Sequence, residues 1–406
     1  MKKVFLFNPT GEMAIANDTA SYTPPAFLRK FEADVAPLLA FAGNGSDVLL
    51  AESSTGAGAF REFWHSLGVS LPFFTKLGEL PEVLEGETIF PVPWGWNKAV
   101  HRLLKPLSAF FDDAFLKTPN SQWKEDYRSF FSRETSVRFL NEVKEVIDDH
   151  DFMSIPYSPD VVSGYDGILQ WMKEHSPPYV FKTPWSSSGR GLYPVTDDEF
   201  ARRCLIWVKS RVKQQKRMII EPWLNRLQDL SFQFVIEEDG NVKFLGVNFF
   251  EAGRVGDFKK EFIGIPDELK SRLSEVDMPE NRIEEAAGIL KQVLLANKYH
   301  LFYSGPIGID AMLFKNVSGD VRLHPCIEIN FRLNMGYVNL KLKDILHPEA
   351  KGEWTIRQFR PGEWQRFAKE KMEASPVSRA DGAIRKGFLP LVPVTKEQLY
   401  GAWAEI

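Results

Sequence analysis

Residues 305–332 read GPIGIDAMLFKNVSGDVRLHPCIEINFR, and the fold predicted for the chain rests on them. Two runs rich in apolar residues, 306–314 and 321–330, flank a polar segment with a glycine at 316–320. Turn-forming residues between two such runs are typical of a β-hairpin. The sequence therefore predicts two antiparallel strands joined by a short turn.

Three oxygen-bearing side chains share one face of this hairpin. Side chains two residues apart on a strand point the same way, so Glu328 and Asn330 project together. Counting outward from the turn places Asp310 opposite Glu328 to within one residue. Carboxylate and amide oxygens suit magnesium, which is also held by substrate phosphates. The alternative is a pair of buried or salt-bridged acids, with Arg332 as a partner. Burying an acid between isoleucines without a cation is costly, which favours the metal site.

A second polar segment follows an earlier strand. Residues 179–182 (YVFK) predict a strand that ends at a lysine, and a loop rich in serine and glycine follows it. Backbone N–H groups of such a loop can converge on phosphate oxygens, because small residues allow a close approach. The candidate phosphate-binding residues are Lys182, Ser186, Ser187, Ser188, Gly189 and Gly191. A surface turn after an edge strand is the alternative, and the sequence contains no P-loop motif G-x-x-x-x-G-K-[ST].

A third segment, Met218 to Leu224 (MIIEPWL), is an apolar strand that ends at an acid and an aromatic residue. This pattern fits a hinge that lines an adenine slot, with Glu221 at its start. Because Pro222 has no N–H group, the Leu224 backbone is the better candidate for an adenine contact. Asp229 is positioned to bind ribose hydroxyls. Strands often end at an acid, so this segment alone is a weak signal.

The N-terminal part alternates strands and a helix. Residues 3–7 (KVFLF) and 48–50 (VLL) are apolar runs, and a helical pattern lies between them at 31–41. Strand–helix–strand order predicts an α/β unit with a parallel sheet. At 406 residues the chain is long enough for two or three packed units.

Composition excludes several classes of protein. The net charge of −4 argues against a nucleic-acid partner, since such proteins usually carry a basic face. Cys204 and Cys326 are far apart, so neither a zinc site nor a disulfide framework is expected. Apolar runs are too short for a secretion signal or for a membrane span of ~20 residues. We therefore expect a soluble cytoplasmic protein with no membrane partner.

In order and spacing, these segments resemble the ATP-grasp superfamily over about residues 125–345. The most specific element is the E-x-N-x-R run at Glu328, Asn330 and Arg332, preceded by Asp310. The resemblance implies ATP and two magnesium ions as cofactors, with the ions on Asp310, Glu328 and Asn330. It also implies a catalytic role for Arg332, which would stabilise an acyl-phosphate or its attack.

The resemblance implies an α/β (α+β) architecture with three parts. Residues 1–124 would form a parallel-sheet pre-ATP-grasp domain. Residues 125–345 would form an ATP-grasp fold of two α+β lobes that clamp the nucleotide, with the central lobe at about 180–250. Residues 346–406 would be a C-terminal extension packed on the body.

Two positions depart from the pattern of the superfamily. Its members usually have another phosphate-binding lysine forty to fifty residues before the one in the loop strand. Here the best position is Arg133, 49 residues before Lys182. In several amide-forming members an arginine stands two residues before the first metal aspartate, and here that residue is Gly308. Arg332 or Arg190 would then have to stabilise the transition-state charge. Lys182 is the third catalytic candidate.

The activity implied by the resemblance is an ATP- and magnesium-dependent ligase. It would activate a small carboxylate as an acyl-phosphate for attack by an amine, or less often a thiol. Arg254 is a candidate anchor for a substrate carboxylate, with a surface role as the alternative. Two other functions stay open: a phosphotransferase on the same fold, and a non-catalytic nucleotide-binding module. A homodimer also stays open.

Overall fold

The computed structural model describes residues 1–406 apart from 53–54, 148–151, 154, 187–188, 254–255 and 276–279. Its N-terminal unit contains a parallel sheet in the order β3-β2-β1-β4. Both apolar runs predicted to be strands lie in this sheet. Its strands are β1 (Lys2–Leu6), β2 (Val48–Leu50), β3 (Phe73–Thr75) and β4 (Ile89–Pro93).

Helices surround this sheet and lead to the next unit. They are α1 (Gly11–Asn17), α2 (Ala26–Val35), α3 (Ala57–Ser66), α4 (Leu80–Leu84), α5 (Lys98–Leu104), α6 (Asp113–Lys117), α7 (Tyr127–Phe130) and α8 (Arg133–Val146). Short 3-10 helices lie at Ala36–Ala42, Leu77–Glu79, Lys105–Phe110 and Pro119–Ser121. At the start of α8, Ser132 Oγ accepts a hydrogen bond from the Glu134 N–H over 3.2 Å. This bond satisfies one N–H group that a helix start leaves free, so Arg133 is held in the first turn.

A small antiparallel sheet in the order β5-β8-β6-β7 follows α8. Its elements are β5 (Asp160–Ser163), α9 (Tyr165–Glu174), β6 (Tyr179–Lys182), β7 (Leu192–Val195), α10 (Asp198–Gln215) and β8 (Arg217–Pro222). Apolar residues of β6, β8 and α10 form its own core, including Phe181, Val208 and Ile220. This lobe therefore spans residues 160–222, whereas the sequence predicted a central lobe at about 180–250. The difference arises because the strands after β8 pair elsewhere.

Those later strands form most of a large antiparallel sheet in the order β13-β12-β9-β10-β11-β14-β18-β17. Its first members are β9 (Asn225–Ile236), β10 (Val242–Ala252), β11 (Phe258–Ile263), β12 (Gly305–Lys315) and β13 (Val321–Asn330). Helices α11 (Asp267–Glu275) and α12 (Glu280–Ala296) and a 3-10 turn (Tyr299–Leu301) separate β11 from β12. The predicted hairpin is confirmed as β12–β13.

The large sheet has an apolar face and a polar face. On β9, Leu230, Phe232 and Phe234 are fully buried against a core that includes Phe139 of α8 and Leu290 of α12. Strand alternation sends the residues between them to the other face. Burial of each large apolar side chain contributes about 1.5–3 kcal/mol. The face that carries Leu230, Phe232 and Phe234 is therefore the one that packs on the core.

The C-terminal segment completes the large sheet and the N-terminal core. It contains α13 (Met335–Lys343), β14 (Gly352–Gln358), α14 (Glu363–Ala374), β15 (Ser378–Ala380), β16 (Ala383–Lys386), β17 (Phe388–Pro390) and β18 (Tyr400–Glu405). Trp354, Trp364 and Trp403 share one core with residues of the N-terminal sheet. The Asp34 carboxylate at the end of α2 accepts hydrogen bonds from the Leu399 and Tyr400 N–H groups over 2.7 and 3.1 Å. In the described part of the chain, no helix is both long enough and apolar enough to cross a membrane.

Candidate functional site

One row of polar residues crosses four strands of the large sheet. Glu328 on β13 lies opposite Asp310 on β12, and Asp310 lies opposite Ser231 on β9. Ser231 in turn lies opposite Asn248 on β10. Directly opposed residues share a face, so these side chains project from the polar face together. The expected pairing of Asp310 with Glu328 is confirmed.

Hydrogen bonds fix the orientation of the Asp310 carboxylate. Ser231 Oγ donates to one oxygen over 2.9 Å, and Asn330 Nδ2 donates to the other over 3.0 Å. Gln233 Nε2 donates to Ser231 Oγ over 2.8 Å, which holds the serine in place. Burial, followed by the negative charge of Glu328, raises the pKa of Asp310 to about 7.

This environment fits a divalent cation. A cation between Asp310 and Glu328 would offset the repulsion that raises the Asp310 pKa. Among the described residues, no cluster of three or more histidine, cysteine and carboxylate side chains is arranged to hold a metal. A metal in this row would therefore depend on two carboxylates, the Asn330 amide and oxygens of a bound phosphate, as magnesium sites often do.

Arg133 joins the candidate phosphate loop to the row of Glu328, Asp310, Ser231 and Asn248, which we call the metal row because it contains candidate metal ligands. Its guanidinium donates to Thr183 O over 2.8 Å, to Ser186 Oγ over 2.6 Å and to Ser186 O over 3.1 Å. It also donates to a Glu328 carboxylate oxygen over 3.0 Å. Arg133 is almost fully buried. The loop after β6 and strand β13 are therefore held in a fixed relation by one side chain.

The loop itself requires glycine at position 191. A Cβ added to Gly191 would lie 2.0 Å from Ser186 Oγ and 2.2 Å from Thr183 Oγ1. The Thr183 N–H donates to Gly191 O over 2.9 Å, closing the turn. Gly189 has a φ of +72°, which favours glycine. Ser187 and Ser188 lie outside the described residues.

Lys182 and Glu221 form a buried ion pair. The Lys182 and Glu221 side chains are 8% and 6% exposed, and they contact each other from the neighbouring strands β6 and β8. With Arg133 and Cys326 they line a cleft of about 10 Å³ between the small and large sheets. The sequence predicted separate roles for these two residues, and the structure brings them together.

His324 and Tyr157 lie beside this pair. His324 is fully buried on β13, and neither ring nitrogen has a hydrogen-bond partner among the described residues. Burial, followed by the positive charge of Lys182, lowers the pKa of His324 to about 3. Burial and the Glu221 charge raise the pKa of Tyr157, whose ring centroid is 6.0 Å from that of His324.

The predicted hinge residues are spread over two strands: Glu221 is on β8, Leu224 directly precedes β9, and Asp229 is on β9. Leu224 is partly buried and packs against the main core. The Asp229 carboxylate accepts hydrogen bonds from Arg226 over 3.0 Å and from the Ala252 N–H over 3.2 Å. Burial raises the pKa of Asp229 to about 6. Asp229 is therefore engaged by the chain itself in this conformation.

Two further arginines line a cavity next to Asp310 and Asn330. Arg332 Nε donates to a carboxylate oxygen of Glu12 on α1, and Arg332 NH2 donates to Asn330 Oδ1 over 2.7 Å. Arg190 is exposed and lines the same cavity as Asp310, Asn330 and Arg332, with a volume of about 370 Å³. Arg254 lies outside the described residues.

Solved structures match the fold over the whole chain. The biotin carboxylase domain dimer of Hydrogenobacter thermophilus 2-oxoglutarate carboxylase, in complex with MgADP, ADP and bicarbonate, has 13% identity and a TM-score of 0.51. The match covers 100% of this chain and 86% of that one. Campylobacter jejuni biotin carboxylase, as its β-γ-ATP complex, has 13% identity and a TM-score of 0.50, over 100% and 87% of the two chains. No protein-family model and no curated protein matches the sequence.

The chain has the ATP-grasp fold.

In the ATP-grasp fold of this chain, three residues near the predicted ones have no role assigned from the sequence. Ser231 orients Asp310, Glu12 pairs with Arg332, and Glu261 on β11 lines the cavity beside them. A signal for Ser231 is present: Ser231 and Gln233 interrupt the apolar β9 pattern at every second residue. Glu261 has no comparable local signal, because its neighbours come from distant strands.

Proposed function

We propose that the chain is an ATP- and magnesium-dependent ligase that activates a carboxylate as an acyl-phosphate for attack by an amine. The observation that carries this proposal is the opposed pair Asp310 and Glu328, with Asn330, joined through Arg133 to the loop that follows Lys182. Oxygen ligands for a cation next to cationic groups for phosphate are what a Mg–ATP site requires.

The proposed nucleotide position lies between the small and large sheets. Lys182, Arg133 and the 186–191 loop would hold the phosphates, while Glu221 and Leu224 would contact adenine and Asp229 the ribose. The cleft between Lys182 and Glu221 measures about 10 Å³, so the small lobe must move away from the large sheet to admit ATP. Separation of the buried ion pair is then compensated by the charges of the ligand.

Magnesium would be held by Asp310, Glu328 and Asn330. When bound it offsets the negative charge of the phosphates and of both carboxylates. Asn330 donates a hydrogen bond to Asp310, and Glu328 lies opposite Asp310 on the neighbouring strand, so the three ligands are close together. Two structural neighbours are complexes with MgADP and with β-γ-ATP, which supports nucleotide binding by this fold.

The proposed reaction has two steps. A carboxylate oxygen of the substrate attacks the γ-phosphorus of ATP, and the bond from that phosphorus to the ADP oxygen breaks. The amine nitrogen then attacks the acyl carbon, the carbon–oxygen bond to phosphate breaks, and the nitrogen loses a proton as the amide forms. Arg332 and Arg190, at the open side of the metal row, offset charge that develops on the transferred phosphoryl group and the acyl oxygen.

Calorimetry of ATP binding with magnesium tests the proposal. The parent should bind ATP, and Glu328→Gln and Lys182→Ala should each weaken binding at least tenfold. Matched controls are Glu238→Gln and Lys315→Ala, which alter exposed side chains away from the row. Failure of the parent to bind ATP would sink the proposal. ATP turnover to ADP with a phosphorylated product that needs no amine would instead identify a phosphotransferase.

A further inference from the structure

The cavity of about 370 Å³ beside the metal row has one wall made by the large sheet. Phe250 lies opposite Glu261, and Ala252 lies opposite Phe258 across β10 and β11. These side chains, and Ile356 of β14, lie on the same side of the sheet as Asp310, and all of them except Glu261 are apolar. The volume falls in the range of small-molecule sites. The cavity is therefore large enough for a substrate other than the nucleotide.

A second wall is apolar and comes from α2 and β18. Phe27 and Phe31 of α2 face Tyr400 of β18, and the Phe31 and Tyr400 rings meet edge to face at 5.1 Å. Phe27 is 61% exposed, a high value for such a side chain. With Phe258 and Ile356 these residues make an apolar box that is open to solvent at Phe27.

Glu261 is an acid at the floor of this box. It is 2% exposed, and its nearest hydrogen bond, from Asn339 Nδ2, is long at 3.5 Å. It forms no ion pair within 4 Å among the described residues, although the charge of Lys343 acts on it. Burial raises the pKa of Glu261 well above its usual value, and the charge of Asp310 raises it further. Glu261 therefore lies within electrostatic reach of the metal row.

Among the described residues that line the cavity, the cationic side chains are Arg190 and Arg332, and neither forms an ion pair with Glu261. Arg332 is directed to Glu12, Asn330 and the Leu333 carbonyl, which accepts over 3.0 Å. Arg190 is on the small lobe at the exposed edge. A carboxylate placed in the apolar box would gain no charge partner in Glu261, because burial already favours the protonated form of that acid. An ammonium group there would instead stabilise the ionised form of Glu261, and aromatic faces attract cations as well.

We propose that this cavity binds a primary amine with a compact apolar body, its nitrogen against Glu261 and its body against Phe27, Phe31, Phe258, Ile356 and Tyr400. The inference rests on the proposed function, for which it specifies the class of the acceptor amine. The amine enters past Phe27 and reaches the Asp310 side of the cavity, where the acyl group is formed.

The test uses two probes that differ in charge and share a phenyl ring, 2-phenylethylamine and 3-phenylpropionate. Binding of each to the full chain is measured by calorimetry with magnesium and a non-hydrolysable ATP analogue, and again without nucleotide. We expect the amine to bind at least tenfold more tightly than the acid. Glu261→Gln should weaken amine binding at least tenfold and leave binding of the ATP analogue unchanged, while Glu238→Gln changes neither.

A second pair of variants keeps the test decisive if Glu261→Gln does not fold. Phe27→Ser removes part of the box, and Leu301→Ser is its control because Leu301 is 58% exposed outside the cavity. Amine binding should fall at least threefold in Phe27→Ser alone. Three results would overturn the inference. They are no amine binding to the parent, stronger binding of 3-phenylpropionate than of the amine, and equal amine affinity in the two serine variants.

ATP binding separates the two proposals. A parent that binds the ATP analogue but not the amine overturns the inference and leaves the nucleotide site. A parent that binds the amine through Glu261 without any nucleotide affinity supports the cavity as an amine site and overturns the ligase.

Discussion

The guanidinium of Arg133 lies 3.0 Å from a carboxylate oxygen of Glu328, although the two residues are 195 positions apart. Arg133 begins helix α8, and Glu328 is on the strand that carries the candidate metal ligands. The same guanidinium binds two carbonyl groups of the loop after β6. One buried side chain therefore sets the distance between the candidate phosphate site and the candidate metal site.

Replacement of Arg133 by alanine should destabilise the protein by about 3 kcal/mol, because it leaves a partly buried carboxylate and two carbonyl groups without their donor. Urea unfolding measures this loss. The matched control is Arg217→Ala. This change breaks an exposed 2.9 Å ion pair between Arg217 and Glu134, which follows Arg133 on α8. That variant should lose less than about 1 kcal/mol. Equal losses in the two variants would show that Arg133 has no special structural role.

Gly191→Ala should reduce ATP affinity at least tenfold, because the new methyl group overlaps the hydroxyls of Ser186 and Thr183 and must displace the loop. The control is Gly288→Ala in α12, where a Cβ meets no atom within 4 Å. That change should raise the free energy of unfolding by up to about 1 kcal/mol. Calorimetry and thermal unfolding of both variants check the pair. Unchanged ATP affinity in Gly191→Ala would remove the loop from the nucleotide site.

His324 should make the protein less stable in mild acid. Burial lowers its pKa from 6.5 to about 3 in the folded state, so the unfolded chain binds the proton more readily. The contribution of neutral His324 to stability is therefore complete above pH 6.5 and is lost as the pH falls toward 3. At pH 5 the loss amounts to about 2 kcal/mol.

The free energy of unfolding, measured between pH 8 and 5 in the parent and in His324→Gln, tests this expectation. The pH dependence should be smaller in His324→Gln by the amount given, while His65→Gln, which alters an exposed histidine, should follow the parent. Parallel curves for all three proteins would contradict it.

The features predictable from the sequence are those with a local pattern. The β12–β13 hairpin and the pairing of Asp310 with Glu328 follow from alternation around one turn. The ATP-grasp fold followed from the same short motifs. The boundary between the small lobe and the large sheet, after β8, could not be predicted in this way. From its sequence β9 could belong to either sheet, and only its pairing with β12, about eighty residues later, decides which.

Contacts between residues on distant segments could not be predicted from the sequence either. Glu261 owes its place in the cavity to an extra residue, Lys259, in β11, which brings Phe258 and Glu261 to the same face. The contact of Lys182 with Glu221 depends on strand order in the small sheet, β8 next to β6, with a helix between them in the chain. Neither relation has a signal in a window of ten or twenty residues.

The shared core of the two chain ends has a consequence for how the protein is made. Domains commonly fold in turn as they leave the ribosome. Here helix α2 packs on Tyr400, and the N-terminal sheet shares its core with Trp354, Trp364 and Trp403. Until those residues have been synthesised, the part of the N-terminal apolar surface that they cover in the folded protein stays exposed. In that interval it offers a binding surface to chaperones.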